Sequence, residues 1–185
     1  MGMVMSFYAL SAKDAEAILA HPQRLGHVLG QPPMPYKPGL FARLFGAKET
    51  PPDPWHPGPI EDLYIDKAWD GVHFLLTGKS TKESVDDTHP LAFMLRGTSF
   101  KRQDIAALLS VEEVQEIHKA FIDIDPERLY ELADPADFKA KDLYPSIWDE
   151  PKEECIGYVT NALVEVKSFF EHAAGRRQAV IYNLS

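Results

Sequence analysis

The feature that most constrains the fold is a long amphipathic pattern near the C-terminus. Its apolar residues recur at alternating steps of three and four before Gly175: Ile156, Val159, Leu163, Val166, Phe170 and Ala173. This period predicts one core-facing helix of roughly 20 residues, or about 30 Å at 1.5 Å per residue. We expect this helix to be the element around which the rest of the chain packs.

Short apolar runs predict strands, two of them close to the ends of the sequence. The runs cover residues 4–10, 90–96 and 178–184. In the last run Val180 and Tyr182 alternate with Ala179 and Ile181, which is the two-residue period of a strand.

Helices are predicted wherever a capping side chain precedes helical positions. Such caps stand at Ser11, at Ser110 with Glu113 three residues later, and at Asp125 and Asp134, each followed by proline. The Ser110 capping box predicts a helix from Val111 to about Ile124. With most helical mass in the second half, the pattern predicts a single α+β domain over residues 1–185. Its small mixed or antiparallel sheet is packed by helices, and the long C-terminal helix precedes a final strand.

Residues 31–59 interrupt this pattern, because nine of the fifteen prolines fall there. Proline lacks a backbone donor and breaks helices and central strands, so we expect a loop or polyproline-like excursion from the single domain. Within it, residues 40–45 (Leu-Phe-Ala-Arg-Leu-Phe) form either one amphipathic turn or an irregular surface crossing.

A further helix is predicted over residues 63–78, with Asp66 as its cap and Gly78 at its end. At about 100° per residue, its polar side chains fall within roughly 60° of one another on one face. This polar stripe consists of Asp66, Asp70, His73 and Thr77. The surface around the stripe is apolar, so the stripe needs either internal partners or a cleft.

Charge and cysteine content limit the function classes. The chain carries 28 acidic and 19 basic residues, for a formal charge of −9, and has no basic stripe for a phosphate backbone. We therefore expect no nucleic acid as partner, and a basic protein as the more plausible one. Cys155 is the only cysteine, which excludes an internal disulfide and fits a reducing cytosol. No window approaches the ~18 apolar residues of a membrane span.

Three segments together form a more specific pattern. They are the opening Met1-Gly-Met, the run from Ile65 to Gly78 with its Asp-Lys-Ala-Trp-Asp and His-Phe steps, and Tyr144-Pro145 with Trp148. These residues resemble the YfbM-like bacterial family, which is described as a domain of unknown function. The resemblance implies an α+β bacterial cytosolic protein without an assigned activity, and it carries over no catalytic residue. The proline-rich residues 31–59 depart from it by their length.

The polar stripe permits two interpretations. In the first, His73 acts as a general base, Asp70 orients its ring, and Asp66 or Tyr144 contacts a substrate. In the second, Asp66 caps the helix, Asp70 bonds a backbone group or Lys67, and His73 is a hydrogen-bonded core histidine.

Aromatic side chains near the stripe likewise permit two interpretations. Trp69, Tyr144 and Trp148, with Thr77, either line a pocket for a planar ligand or belong to the core. The remaining histidines lack metal-ligand spacing, and neither a glycine-rich phosphate loop nor a Gly-x-Ser-x-Gly elbow occurs. We therefore expect no metal and no cofactor.

Two functions follow as hypotheses. The first is a non-enzymatic binding or regulatory module, one form of which is an acidic immunity-type inhibitor that covers a basic partner. Acidic side chains clustered beside exposed aromatic residues would favour it. The alternative is a small-molecule enzyme, such as a hydrolase, with acid–base chemistry at Asp66, Asp70 and His73. That mechanism needs an open cleft at the stripe.

Overall fold

The computed structural model describes residues 2–31, 54–83, 88–100 and 105–185. Within these ranges the strands are β1 Met5–Leu10, β2 Glu61–Tyr64, β3 Thr98–Phe100, β4 Ile105–Leu109 and β5 Ala179–Leu184. The α-helices are α1 Ala12–Ala20, α2 Leu25–Val28, α3 Trp69–Thr77, α4 Val111–Phe121, α5 Pro126–Leu132, α6 Pro135–Ala140 and α7 Lys152–Gly175. Two 3₁₀ helices cover Pro22–Arg24 and Pro90–Leu95. Most of the proline-rich excursion, including the turn considered at 40–45, lies outside the described residues.

The five strands form one antiparallel sheet in the order β2-β1-β5-β4-β3. The two strands nearest the termini are therefore neighbours at its centre, where Phe7 lies opposite Tyr182. The final strand β5 is buried along its whole length, because helices cover both faces of the sheet. This arrangement confirms the predicted α+β class.

Alternation along β5 divides the core into two layers. Val180 and Tyr182 face the larger layer, which contains the apolar side of α7, while Ala179 and Ile181 face a smaller layer under α1 and α2. The predicted period of two thus describes a strand with both sides covered.

The long helix α7 is confirmed, and it packs closely against α3. A Cβ atom placed on Gly71 of α3 would lie 2.8 Å from Cγ2 of Val159 on α7, closer than packed carbon atoms approach. Glycine at this position therefore lets the two helices come together. Their contact fixes α3, which carries most of the polar stripe, against the centre of the molecule.

The predicted helix starts are also confirmed. Ser11 accepts a bond from the backbone of Asp14, and Ser110 forms a reciprocal capping box with Glu113. Asp125 and Asp134 cap α5 and α6 with their carboxylates. Each cap satisfies backbone donors that a helix leaves open in its first turn.

The helix predicted over 63–78 is shorter than expected. Leu63 belongs to strand β2, where it lies opposite Phe7, and the helix begins only at Trp69. Asp66 is not its cap: it lies in the preceding turn with a left-handed φ of 49°, and the N-cap is Ala68. Pairing with β1 decided the conformation of this segment. Gly78 ends the helix as predicted, with a φ of 70°.

The strand predicted over 90–96 is wrong, and three other strands were missed. Residues 90–95 form a 3₁₀ helix, which begins where His89 accepts a hydrogen bond from the backbone of Leu91. Four consecutive apolar residues, from Leu91 to Met94, are buried in it. A short apolar run gives no period that distinguishes a strand from such a helix. The missed strands β2, β3 and β4 are three to five residues long.

Candidate functional site

Asp70 is a fully buried residue in the first turn of α3. Its Oδ1 accepts hydrogen bonds from the backbone N–H of Thr81 at 3.1 Å and from the Thr81 hydroxyl at 2.8 Å. Its Oδ2 accepts one from the backbone N–H of Tyr144 at 3.0 Å. Both carboxylate oxygens are thus used to join two loops to α3, and one predicted structural role, bonding to the backbone, is observed.

His73 follows one turn later and is also fully buried. Neither ring nitrogen has a hydrogen-bond partner among the described residues. Burial lowers the pKa of His73, and the nearby charge of Asp70 opposes this change only in part. His73 is therefore a neutral core residue, and the open cleft that acid–base chemistry requires is not formed at its ring in the described part of the chain.

Thr77 closes the helical part of the stripe. Its hydroxyl donates a hydrogen bond to the carbonyl oxygen of His73 at 2.8 Å and accepts one from the backbone N–H of Lys79 at 3.2 Å. The hydroxyl is thus bonded within its own helix end, at the residue directly before Gly78, which ends the helix.

Of the predicted aromatic set, Trp69 and Tyr144 are brought together, with ring centroids 5.7 Å apart and planes inclined by 30°. Trp69 Nε1 donates to the carbonyl oxygen of Met3 at 3.2 Å. Trp148 is buried elsewhere, against the ring of Phe138, and its Nε1 donates to the carbonyl oxygen of Leu143 at 2.8 Å. Both tryptophans are 6% exposed and pack in the core.

Asp66 is separated from the rest of the stripe by the start of α3. Its Oδ1 accepts a hydrogen bond from the Tyr64 hydroxyl and its Oδ2 one from the Tyr158 hydroxyl, both at 3.1 Å. Tyr158 in turn accepts a hydrogen bond from the backbone N–H of Lys67 at 3.0 Å. Burial, with the contribution of Asp66, raises the pKa of Tyr158 to about 12, so its phenol remains a donor at neutral pH.

Asp66 and Tyr158 line a cavity of about 400 Å³, which we call the Asp66 cavity. Its lining combines three carboxylates (Asp66, Glu150 and Glu154), the Lys67 ammonium group, the Tyr158 phenol and the apolar residues Pro145, Ile147 and Cys155. The carboxylates outnumber the ammonium group, so the lining is acidic overall, and we call its carboxylates the acidic side and its apolar residues the apolar wall.

Cys155 contributes no reactive thiolate to this cavity. The residue is fully buried, and its thiol lies 3.5 Å from the carbonyl oxygen of Glu150. Burial raises the pKa of the thiol, which keeps it protonated.

The important additions to the predicted site are Tyr64, Tyr158, Glu150 and Glu154. Tyr158 lies on the predicted C-terminal helix, whereas Glu154, one turn earlier, belongs to its observed start, which begins at Lys152. Their proximity to Asp66 depends on the packing of α7 beside the turn after β2, for which the sequence offered no local signal.

The described ranges hold neither a metal-binding cluster of side chains nor a helix that could span a membrane. No three His, Cys, Asp or Glu side chains there are arranged to hold a metal ion. In the same ranges, every helix is too short or too polar to cross a lipid bilayer.

Comparison with known proteins adds the family but no activity. A family model described as "Domain of unknown function (DUF1877)" matches residues 1–182. The chain is also similar to the crystal structure of YfbM, a protein of unknown function from Escherichia coli. That similarity has a TM-score of 0.68 at 14% identity and covers 98% of this chain and 99% of the other, so it concerns the fold alone. Curated proteins gave no match.

Proposed function

This chain belongs to the DUF1877 family, the YfbM-like family suggested by its motifs, and because that family is described only as a domain of unknown function, we propose a function from the site itself. The chain is a non-enzymatic binding module that takes a lysine or arginine side chain of a basic protein partner into the Asp66 cavity. The acidic side and apolar wall of this one cavity are the observation that carries the proposal.

The lining matches the two-part chemistry of a long cationic side chain. Lysine and arginine have an aliphatic stem and a charged head, and the stem gains from apolar contact while the head stays among polar groups. Pro145 and Ile147 offer the stem an apolar surface, and Glu150 and Glu154 offer the head carboxylates. Asp66 adds a third carboxylate, held in place by its two tyrosine donors.

An exposed aromatic residue adjoins this acidic group, as expected of a protein interface. Tyr64 is 56% exposed while its hydroxyl bonds Asp66. Tyrosine is enriched at interfaces because its ring gives contact area at low entropic cost and its hydroxyl remains polar. The formal charge of −9 would steer a basic partner toward this surface.

The biological setting belongs to the same proposal. A bacterial cytosolic location fits the single cysteine, which is buried and free. Regulation by covering a basic partner, as an immunity-type inhibitor does, is the form of binding that suits an acidic cavity beside an exposed tyrosine.

Acid–base chemistry at Asp66, Asp70 and His73 receives less support. Asp70 and His73 have no exposed surface, and both carboxylate oxygens of Asp70 accept hydrogen bonds from loop residues. Asp66 lines the Asp66 cavity, which Asp70 and His73 do not line, so the three groups do not converge on one substrate position.

The proposal is tested by NMR titration of the full chain with N-acetyl-arginine amide and with its neutral analogue N-acetyl-citrulline amide. We expect the arginine probe to shift the backbone resonances of Lys67 and Tyr158 with a dissociation constant of about 1 mM, as for a single small contact. The citrulline probe should leave them unchanged.

The double variant Glu150→Gln, Glu154→Gln should abolish the arginine response. Glu165→Gln is the matched control, because Glu165 is exposed on the same helix but does not line the cavity. Equal responses to arginine and citrulline, or an undiminished response of the double variant, would refute the proposal.

A further inference from the structure

A second cavity lies on the other side of the first turns of α7, between α7 and α5. Its volume is about 510 Å³, and its carboxylates are Glu127, Glu131 and Glu153. We call it the Glu153 cavity. Like the Asp66 cavity it is acidic, and consecutive residues of α7, Glu153 and Glu154, face the two cavities.

Thr160 is a polar residue of this cavity that lacks a partner. The residue lines the cavity and is only 8% exposed, and its buried hydroxyl has no hydrogen-bond partner among the described residues. A threonine within a helix ordinarily bonds a carbonyl oxygen one turn earlier, as Thr77 does with His73. The hydroxyl of Thr160 makes no such bond, so it is a buried, unsatisfied polar group in the wall of the Glu153 cavity.

Gly157 also lines the Glu153 cavity, and packing does not explain it. A Cβ atom at this position would meet no atom within 4 Å, in contrast to Gly71, where α7 itself leaves no room. Glycine is among the least favourable residues inside a helix. Because packing does not require a glycine here, its presence indicates that a side chain would obstruct a contact on this part of the helix surface.

Gly157 lies between the two cavities on the surface of α7. At about 100° per residue, it lies about 40° from Glu153 and about 60° from Glu154 in the opposite direction. The path between the Asp66 cavity and the Glu153 cavity therefore passes over Gly157, which has no side chain to block it. We call this position the crossing.

We infer that an extended basic segment of the partner crosses α7 at Gly157 and places one cationic side chain in each cavity. This inference rests on the proposed function and extends it from one cation to two at a defined spacing. Carboxylates on both sides of the crossing favour a segment of this charge. The unsatisfied Thr160 hydroxyl offers that segment one further hydrogen bond.

A cation of the chain itself contacts two residues that line the second cavity, Tyr130 and Glu131. The Lys152 ammonium lies 5.1 Å from the centre of the Tyr130 ring and donates to the carbonyl oxygen of Glu131 at 3.1 Å. An aromatic face with nearby carboxylates is the environment that stabilises such a group.

The spacing of the two cations follows from the helix. A helix with its side chains is about 10–12 Å wide, and an extended chain advances about 3.3–3.6 Å per residue. Three residue steps therefore span the crossing, as in the blocked peptide acetyl-Arg-Gly-Gly-Arg-amide.

The test compares this peptide with acetyl-Arg-Gly-Gly-citrulline-amide and acetyl-citrulline-Gly-Gly-Arg-amide by calorimetric titration of the full chain. Linked binding of two groups raises affinity strongly, so we expect the two-arginine peptide to bind at least about tenfold more tightly than either single-arginine peptide. An advantage below about twofold, the statistical value for two equivalent arginines, would overturn the inference.

Gly157→Leu is the decisive variant, because it fills the crossing without removing a charge. Leucine is a better helix residue, and a Cβ atom at this position meets no atom within 4 Å, so we expect an unchanged or higher melting temperature. The two-arginine advantage should fall below about twofold. Val164→Leu, exposed on the same helix and outside both cavities, should retain it.

Failure of this inference differs from failure of the proposed function. If Gly157→Leu keeps the full advantage of the two-arginine peptide, the crossing is wrong, although the Asp66 cavity still binds one arginine. If no arginine peptide binds the wild-type chain, the proposed function fails as well.

Discussion

Asp70 and Tyr144 are 74 residues apart in sequence, yet Oδ2 of Asp70 accepts a 3.0 Å hydrogen bond from the backbone N–H of Tyr144. The other oxygen holds Thr81. Tyr144 directly precedes Pro145, which with Ile147 forms the apolar wall of the Asp66 cavity. Asp70 therefore acts as a positioning residue that attaches this wall to α3, which explains why a carboxylate and a Tyr-Pro step belong to one motif.

The substitution Asp70→Asn tests this attachment. Asparagine keeps the size of the side chain but replaces one acceptor oxygen by a donor, which leaves a buried N–H without an acceptor. We expect a loss of about 2 kcal/mol in the free energy of unfolding, measured by urea denaturation. Asp62→Asn, at an exposed position of β2, should change it by less than about 0.5 kcal/mol. Equal stability of the two variants would contradict the role of Asp70.

His73 predicts a loss of stability in mild acid. Burial lowers its pKa in the folded chain, whereas the unfolded chain titrates near the ordinary value of about 6.5. Below that pH the unfolded state binds the additional proton, so acidification favours unfolding, by at most about 1.4 kcal/mol per pH unit. The free energy of unfolding, measured by urea denaturation from pH 8 to pH 5, should therefore decline below about pH 6.5.

His73→Gln is the control for this pH dependence, because glutamine is polar but does not titrate. Its free energy of unfolding should change less between pH 7 and pH 5 than that of the wild type. Parallel curves for the two proteins would show that other groups cause the decline.

Local signals account for the parts of the fold that could be predicted from sequence. The caps at Ser11, Ser110, Asp125 and Asp134, and the period of α7, depend on residues within one or two turns. The alternation in β5 is equally local. The starts of the four capped helices and the bounds of β5 were predicted to within one residue.

The errors arose where contacts distant in sequence determined the conformation. Leu63 continues a helical pattern in sequence, but its pairing with Phe7 places it in the sheet. The stripe was correct for the three residues on α3, whereas Asp66 precedes the helix and turns toward Tyr158, 92 residues away. No periodicity reports a contact of that kind, so the acidic cavity could be assembled only from the structure.

Tyr158 predicts a loss of stability in alkali. Burial raises its pKa to about 12 in the folded chain, against an ordinary value of about 10. Between these two values the folded state holds the proton more tightly, so stability falls as pH rises from about 10 to about 12. Burial also raises the pKa of Tyr182 to about 12, so both tyrosines contribute.

The variant Tyr158→Phe separates the two contributions. It should show a smaller decline in the free energy of unfolding between pH 9 and pH 11 than the wild type, because the contribution of Tyr158 is then absent. Tyr64→Phe is the matched control, since Tyr64 shares the Asp66 carboxylate but is 56% exposed. A Tyr158→Phe curve parallel to that of the wild type would contradict the prediction.

Thr160 and Thr77 predict opposite results for the same substitution in two helices. Thr160→Val removes a buried hydroxyl that has no partner among the described residues, so the free energy of unfolding should rise by about 1 kcal/mol. Thr77→Val removes a hydroxyl that is hydrogen-bonded to the backbone of His73 and Lys79. The free energy of unfolding should therefore fall by about 1 kcal/mol. Valine has nearly the shape of threonine, and both changes are read from urea denaturation at pH 7. A loss of stability in Thr160→Val would mean that its hydroxyl is already satisfied, which would remove the main polar argument for a ligand in the Glu153 cavity.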